Sequence, residues 1–143
     1  MASSYMMLAH IMDTKIYRFL TWNVNGLRAR MTDIHAHILK QSPDFIAVQE
    51  TGPEVDDLRG YSKHVLGCDL RSSRGLVMYV KSGLSVTFKE MGVDRGIEFI
   101  SVCLHLEENV IYITNMYMYI VGLCVLKVFL LIYLKKVQYF WVT

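Results

Sequence analysis

The stretch TWNVNGLRAR, residues 21–30, decides the first part of the fold, because it closes an apolar run with a tight turn. Residues 15–22 are rich in β-branched and aromatic side chains and predict a strand. The pair Asn25-Gly26 is a strong hairpin-turn signal, since both residues tolerate positive φ. Apolar residues then recur at near-helical spacing over 31–39 and end at Ser42-Pro43. Strand, turn and helix is therefore the better prediction.

A second stretch, DFIAVQET at residues 44–51, follows that helix. Its short apolar run predicts a strand buried on both faces and parallel to the first. The polar endings of the two strands, Asn23 and Gln49-Glu50, would then lie at the same edge of the sheet. Open α/β sheets place their ligands at this edge, so we expect a site there.

The sequence pattern changes after residue 60, from a mixture of strands and a helix to strands alone. Short strand-like segments separated by Gly, Ser, Asp and Asn predict an antiparallel meander: 61–66, 75–80, 84–88, 97–104 and 110–116. Residues 81–83 and 107–109 are the expected hairpin loops. Residues 1–14 are expected to be a loosely held lead-in without a signal peptide.

Length, charge and cysteine content limit the classes of protein to which the chain can belong. A chain of 143 residues with 53% hydrophobic content forms one domain at most and can bury a core. The basic excess comes from Lys127, Lys135 and Lys136, because residues 117–143 contain no acid. The body therefore has no summed positive field that would indicate nucleic-acid binding. The three cysteines are far apart, which suits a reducing compartment and predicts neither disulfides nor a zinc site.

Residues 117–134 are apolar except for Lys127. About 20 apolar residues are needed to span a bilayer, so the run is near that limit. A central lysine costs roughly 2.5–3.5 kcal/mol on insertion scales. The run could be a membrane anchor, a buried strand or helix, or a stretch without a selected structure.

Taken in order, WNVNGLR at residues 22–28 and the stretch 44–51 resemble the opening motifs of the endonuclease/exonuclease/phosphatase superfamily. Within it, the chain is most similar to the apurinic/apyrimidinic-endonuclease-like domain of LINE-type (non-LTR) retrotransposons, which accompanies a reverse transcriptase. Weaker matches follow in family order: RGLVMYVKSG at 74–83, IEFISV at 97–102 and VIYITNMY at 110–117. The resemblance divides the chain into a lead-in (1–14), the N-terminal half of the domain (15–117) and a divergent apolar tail (118–143).

The resemblance implies an α/β fold, the first half of a four-layered, deoxyribonuclease-I-like sandwich. It also implies DNA as the partner and Mg²⁺ or Mn²⁺ as the cofactor; it indicates no protein partner. By position, Glu50 would be the metal ligand, Asn23 would help to hold the metal or the active-site network, and Tyr117 would meet the scissile phosphate. Oxygen ligands suit Mg²⁺, which usually keeps several waters.

Each of these residues also has a plain structural interpretation. Asn23 could cap the helix or fix the turn, and Glu50 could be a solvated acid at a strand end. Tyr117 could be an ordinary strand aromatic, because Tyr119 replaces the family's following proline.

The match ends after Tyr117. The family's Asp-x-Asn and Ser-Asp-His segments have no equivalent, since residues 118–143 contain no Asp or His. His35 and His37 are two apart on the predicted helix and cannot share a face, and the other histidines are isolated. We also expect the second sheet of the sandwich to be absent, which would leave the first sheet with an uncovered face.

These observations predict a Mg²⁺-dependent DNA endonuclease domain of a mobile element, intracellular and acting in the nucleus, but truncated and disabled in this chain. Whether it is an enzyme stays open. One alternative is a phosphohydrolase of the same superfamily acting on lipid or inositol phosphates, although Arg28-Ala29-Arg30 favours the nuclease branch. Another is a non-catalytic fragment or a small membrane-associated protein anchored by 117–134.

Overall fold

The computed structural model contains two five-stranded sheets. The backbone is described for residues 4–11, 15–67, 74–107, 110–120, 123–132 and 140–142, and side chains are described between residues 17 and 118. The first sheet has the order β1 (Ser4–Ile11), β2 (Lys15–Asn23), β3 (Phe45–Gln49), β5 (Leu76–Lys81), β4 (Tyr61–Leu66). The second has the order β10 (Phe140–Val142), β9 (Leu123–Ile132), β8 (Val110–Ile120), β7 (Ile97–His105), β6 (Val86–Asp94). The described part contains one α-helix, α1 (Met31–Gln41), which follows a 3-10 turn at Arg28–Arg30. It is therefore mostly β-sheet.

The strand, turn, helix and parallel strand predicted for the first half are confirmed. β2 and β3 run parallel, and Asn23 is in register with Gln49. The helix packs Ile34 against apolar side chains on the outer face of the first sheet, among them Leu20 and Val48. It ends at Gln41, and the next residue, Ser42, has a left-handed backbone and donates its N–H to the Ile38 carbonyl at 2.9 Å.

The two sheets pack face to face, so the expectation that the second sheet is absent is wrong. Alternate side chains of the first sheet form one half of this core: Tyr17, Phe19, Phe45, Ala47, Leu76, Met78 and Val80. The second sheet supplies the other half: Ile100, Val102, Leu104, Ile111, Ile113 and Tyr117. Burying an apolar side chain of this size contributes roughly 1.5–3 kcal/mol, so the interface between the sheets is a main source of stability.

The predicted meander is divided between the sheets. Residues 81–83 do not form a hairpin loop but carry the chain from β5 to β6 in the other sheet. The reason is that β5 already has β3 and β4 as neighbours, which leaves β6 no position beside it. β6 pairs with β7, and β7 with β8, as antiparallel neighbours. Part of the second predicted hairpin loop, residues 108–109, lies outside the described residues.

The segments before β2 and after β8 both add strands: the first was not predicted, and the second matches one of the interpretations of the apolar run, a strand. Residues 4–11 of the expected lead-in form β1, antiparallel to β2 from Ser4 opposite Trp22 to Ile11 opposite Lys15. Residues 123–132 of the apolar tail form β9, which pairs along β8. The tail thus continues the second sheet and covers an edge that β8 would otherwise expose. The four-layered α/β sandwich stays a prediction.

A membrane-spanning helix was one interpretation of the apolar tail. Among the described residues, no helix has the length and hydropathy needed to cross a bilayer.

The β6–β7 hairpin provides a test of turn chemistry. Arg95 and Gly96 both have positive φ, 49° and 78°, the backbone of a two-residue turn that favours Asn-Gly. We expect Arg95→Asn to raise the free energy of unfolding by roughly 0.5–1 kcal/mol, because asparagine tolerates this conformation better than arginine. Urea denaturation of both proteins measures the change. Arg95→Ala is the matched control, and an equal gain there would contradict the explanation.

Candidate active site

The predicted polar strand ends meet at one edge of the first sheet. Asn23 ends β2 and lies in register with Gln49 at the end of the parallel strand β3, with Glu50 following directly. Asn23 and Glu50 are both partly exposed, whereas Gln49 is fully buried. The structure therefore places these residues as the sequence predicts, at the carboxyl ends of neighbouring parallel strands.

The backbone of Glu50 adopts a left-handed conformation, with φ of 54°. Such a conformation costs a non-glycine residue roughly 1–3 kcal/mol and persists where the surroundings enforce it. The Glu50 carbonyl accepts a hydrogen bond from Gly26 N–H at 2.8 Å, and the Thr51 carbonyl accepts one from Leu27 N–H at 2.8 Å. The Asn25-Gly26 turn therefore holds the backbone at Glu50, which explains why turn and carboxylate occur together.

Tyr117 connects the second sheet to this edge. Its side chain is fully buried, and its phenol donates a hydrogen bond to Glu50 Oε1. Because Glu50 follows β3 and Tyr117 lies in β8, the contact crosses from one sheet to the other. Two of the three predicted site residues are thus in direct contact, and Asn23 lies one strand away.

A buried amide pair that the sequence did not predict supports this contact. Asn115 Oδ1 accepts a hydrogen bond from Gln49 Nε2 at 2.7 Å. Asn115 Nδ2 donates to the carbonyls of Val48 and Val77, at 3.1 and 3.0 Å. Asn115 is fully buried and, like Tyr117, faces the first sheet. Asn115 lies two residues before Tyr117 in the stretch VIYITNMY, and this proximity was the sequence signal that could have identified it.

Gln49 has one atom that the amide pair does not satisfy. Its Nε2 also approaches Thr21 Oγ1 at 3.2 Å and the Ala47 carbonyl at 3.3 Å. Its buried Oε1 has no hydrogen-bond partner among the described atoms. A buried amide oxygen of this kind is a place where an ordered water binds in proteins.

Two exposed arginines lie beside this edge. The 3-10 turn that carries Arg28 and Arg30 follows directly after Leu27, whose N–H bonds to the Thr51 carbonyl. Arg28 pairs with the carboxylate of Glu54, and that hydrogen bond and charge raise the pKa of the guanidinium. The pair is solvent-exposed, and such pairs contribute little to stability. A phosphate could therefore replace Glu54 at little cost.

The donor set fits a hard, oxygen-seeking cation. Among the described residues, no group of three or more His, Cys, Asp or Glu side chains is arranged to hold a metal ion. This does not suit structural zinc, which takes four such ligands. Mg²⁺ usually binds through one or two carboxylates, keeps several waters and contacts substrate phosphates. Glu50, with the amide of Asn23 on the next strand, fits that pattern and also fits Mn²⁺.

Three histidine side chains, those of His37, His64 and His105, have contacts elsewhere in the fold. His37 packs edge-on against Trp22, with ring centroids 5.5 Å apart, on the helix side of the sheet. His64 stacks on Phe88 at 5.6 Å, and burial lowers the pKa of its imidazole. His105 Nε2 lies 2.7 Å from Thr87 Oγ1. None of these three replaces the phosphate-contacting histidine that the resemblance implies.

The acidic loop that follows Glu50, residues 52–57, is tied to β5 by a buried tyrosine. The phenol of Tyr79 donates to the Asp56 carbonyl at 2.5 Å. Burial, with smaller contributions from the charges of Asp56 and Asp57, raises the pKa of Tyr79 to about 12. The phenol therefore stays neutral in the folded chain at a pH where it ionises in the unfolded chain.

This shift predicts a loss of stability in alkali. Because the folded-state pKa of Tyr79 is raised from 10.0 to about 12, its contribution is complete below pH 10 and is lost as the pH rises through about 12. We expect the free energy of unfolding to fall over this window, and to fall less steeply in Tyr79→Phe. Urea denaturation of both proteins across the window tests this. Parallel curves would contradict it, because the ionising phenol would then not be Tyr79.

Comparison with known proteins adds one finding. A family model described as the Endonuclease/Exonuclease/phosphatase family matches residues 20–119. This span includes Asn23, Glu50 and Tyr117 together with the buried pair Gln49 and Asn115. No curated protein and no solved structure matches the chain.

Proposed function

Because the chain belongs to the endonuclease/exonuclease/phosphatase family, we propose that Glu50 and Asn23 form the metal-binding corner of a Mg²⁺-dependent DNA endonuclease site. The observation that carries the proposal is the hydrogen bond from Tyr117 to Glu50, which brings a phenol to a carboxylate at the ligand-binding edge of the sheet. Mn²⁺ would serve in place of Mg²⁺. The matched family is of nuclease and phosphodiesterase type, and the compact donor set suits a phosphate substrate.

The residues of this chain have distinct tasks in that site. Glu50 supplies the carboxylate and Asn23 the neighbouring amide. The left-handed backbone at Glu50 sets the direction in which its side chain leaves the main chain. When bound, Mg²⁺ would polarise a phosphoryl oxygen and stabilise the leaving oxygen. The Tyr117 phenol donates its hydrogen to Glu50. Contact with a phosphate therefore requires Tyr117 to exchange that hydrogen bond for one to the substrate.

DNA is the proposed substrate in preference to lipid or inositol phosphates. Arg28 and Arg30 are both exposed on the 3-10 turn that follows Leu27, and their guanidinium groups suit contact with backbone phosphates. The order of the motifs, as in mobile-element endonucleases, supports an origin in a LINE-type retrotransposon. Intracellular, nuclear action would follow from that origin.

We further propose that the 143-residue chain does not catalyse. Residues 118–143 contain no Asp or His, so they supply neither the water-orienting Asp-x-Asn segment nor the Ser-Asp-His segment that the resemblance implies. General acid–base help contributes typically about 10²–10⁴-fold in rate, so a site without it is expected to be slower by at least that factor.

A supercoiled-plasmid nicking assay with Mg²⁺ tests catalysis. We compare the chain, its Glu50→Gln variant and a vector-only preparation, and expect none to nick above background. Nicking by the chain that is lost in Glu50→Gln would support the metal corner and overturn the proposed inactivity. Equal nicking by the chain and the variant would indicate a contaminating nuclease.

Duplex binding tests the substrate class independently of catalysis. Replacing Arg28 and Arg30 with alanine should weaken binding of a fluorescent duplex and lower the salt slope by about 0.9 for each phosphate that is no longer neutralised. Lys40→Ala, at the far end of α1, is the matched control and should bind as the unmodified chain does. Equal weakening in the control, or stronger competition by inositol phosphates than by DNA, would contradict the proposal.

A further inference from the structure

A second carboxylate lies at the same end of the molecule and has no role in the site described above. Glu98, in β7, is only 2% exposed. It is in register with Tyr117 of β8 and shares its face, toward the first sheet, with Ile100 and Val102. A buried carboxylate is costly unless its charge is compensated, so the contacts of Glu98 need an explanation.

Two successive backbone N–H groups converge on this carboxylate. Glu98 Oε1 accepts hydrogen bonds from Arg74 N–H at 2.9 Å and from Gly75 N–H at 3.2 Å. Gly75 has a φ of 90°, a conformation that favours glycine. Successive N–H groups that point to one spot form an anion-binding concavity. Glu98 therefore fixes the chain just before β5.

The segment that Glu98 fixes in turn holds the residues after Glu50. The Gly75 carbonyl accepts a hydrogen bond from Thr51 N–H at 3.2 Å, and the Arg74 carbonyl accepts one from Gly52 N–H at 3.3 Å. The left-handed backbone of Glu50 is thus held on one side by the Asn25-Gly26 turn and on the other by the 74–75 segment. Glu98 links this second restraint to the opposite sheet.

We propose that Glu98 is a positioning residue for Glu50: by holding Arg74 and Gly75, it fixes Thr51 and Gly52 and so the direction of the metal-binding carboxylate. The inference rests on the proposed function of Glu50, but its structural part can be measured without metal. It assigns Glu98 to the outer shell of the site, where replacing a residue typically lowers metal affinity about 10–100-fold.

The two N–H groups need an acceptor oxygen at the position of Glu98 Oε1, and a neutral amide oxygen can also accept their hydrogen bonds. Two substitutions separate the acceptor oxygen from the charge. Glu98→Gln keeps an acceptor oxygen at the same reach and removes the charge, whereas Glu98→Asp keeps the charge and withdraws the oxygen by one methylene. Glu98→Ala removes both. Ser101→Ala is the control, because Ser101 lies in the same strand, pairs with Thr114 at 2.8 Å and is three residues along β7 from Glu98.

The first measurement is Mn²⁺ binding to the full chain, followed by the loss of the free-ion signal in electron paramagnetic resonance. We expect Glu98→Asp and Glu98→Ala to weaken binding by about tenfold or more, and Glu98→Gln and Ser101→Ala to bind as the unmodified chain does. If Glu98→Ala does not fold, Asp and Gln carry the comparison. Weaker binding in Gln than in Asp would overturn the proposal, because charge would then be the property that matters.

The second measurement is amide hydrogen exchange of Thr51 and Gly52 in the metal-free chain. We expect exchange to be faster in Glu98→Asp than in the unmodified chain and unchanged in Glu98→Gln. Unchanged exchange in Asp would overturn the positioning role even if metal affinity changed. If the unmodified chain fails to bind Mn²⁺, the proposed function fails, and the exchange data alone support or overturn the role of Glu98.

Discussion

Replacing Asn115 with alanine is expected to lower the free energy of unfolding by about 3 kcal/mol, a large share of the stability of a small domain. Asn115 is fully buried between the sheets, and its amide bonds to Gln49, Val48 and Val77. Alanine would leave a small cavity and remove the best acceptor of the Gln49 amide. An unsatisfied buried polar group costs roughly 1–3 kcal/mol, and the cavity adds to this cost.

Urea denaturation of Asn115→Ala measures the change in stability. Ser101→Ala is the control, because it removes one partly buried hydrogen bond between β7 and β8 and should cost about 1 kcal/mol. Combining Asn115→Leu with Gln49→Leu should cost less than the two single changes added, since no buried amide is then left unpaired. A destabilisation in Asn115→Ala no larger than in Ser101→Ala would contradict the role of the amide pair.

Replacing Glu50 with glutamine is expected to abolish measurable Mg²⁺ and Mn²⁺ binding while leaving the fold nearly unchanged. Glutamine can still accept the hydrogen bond from Tyr117, so the contact between the sheets is retained. It cannot supply the negative charge that a hard divalent cation requires. Because Glu50 is the carboxylate of the proposed metal corner, we expect affinity to fall by at least about 100-fold, the upper end of outer-shell effects.

Tyr117→Phe separates the two partners of that hydrogen bond. It keeps the carboxylate and removes the phenol, so it should bind Mn²⁺ much better than Glu50→Gln does. Mn²⁺ titration of the three proteins, with circular dichroism as the check on folding, gives the comparison. Binding by Glu50→Gln equal to that of the unmodified chain would show that the cation sits elsewhere.

The sequence predicts the β2, α1 and β3 unit because its signals are local. Asn25-Gly26 and Ser42-Pro43 mark the ends of elements, and the buried run of β3 indicates a parallel strand with a helical crossover. The positions of Asn23 and Glu50 follow from that topology alone. The β2, α1 and β3 unit was therefore predicted, whereas β1, which pairs with β2 just as locally, was not.

Assignment of strands to sheets was not predicted, because it depends on which edges are already taken. Residues 81–83, with Gly83 at a φ of 94°, have the composition of a hairpin loop. They do not form a hairpin because β5 already pairs with β3 on one side and β4 on the other, so the next strand joins the second sheet. The apolar run of β9 shows no alternation that would mark a strand with one exposed face, so its pairing with β8 leaves no clear sequence signal.

The supporting residues of the site were missed for a similar reason. A single asparagine in an apolar strand, such as Asn115, has no distinctive spacing, and its partners lie 66 and 67 positions away or in β5. Glu98 follows Gly96 closely and so resembles a solvated acid beside a turn. Resemblance to a family identified Tyr117 because the family gives a role to the tyrosine at that position.

The contact between Tyr117 and Glu50 also bears on the order in which the parts of the chain fold. It joins residues 67 positions apart, whereas the β2, α1 and β3 unit forms within one short span. Contacts between residues distant in sequence form slowly, because the entropy of closing a long loop is lost before the favourable energy of the contact is gained. On a ribosome, the first sheet can begin to assemble before residue 117 has been added. The contact that joins the two sheets at the candidate site is therefore expected to form after the β2, α1 and β3 unit, late in folding.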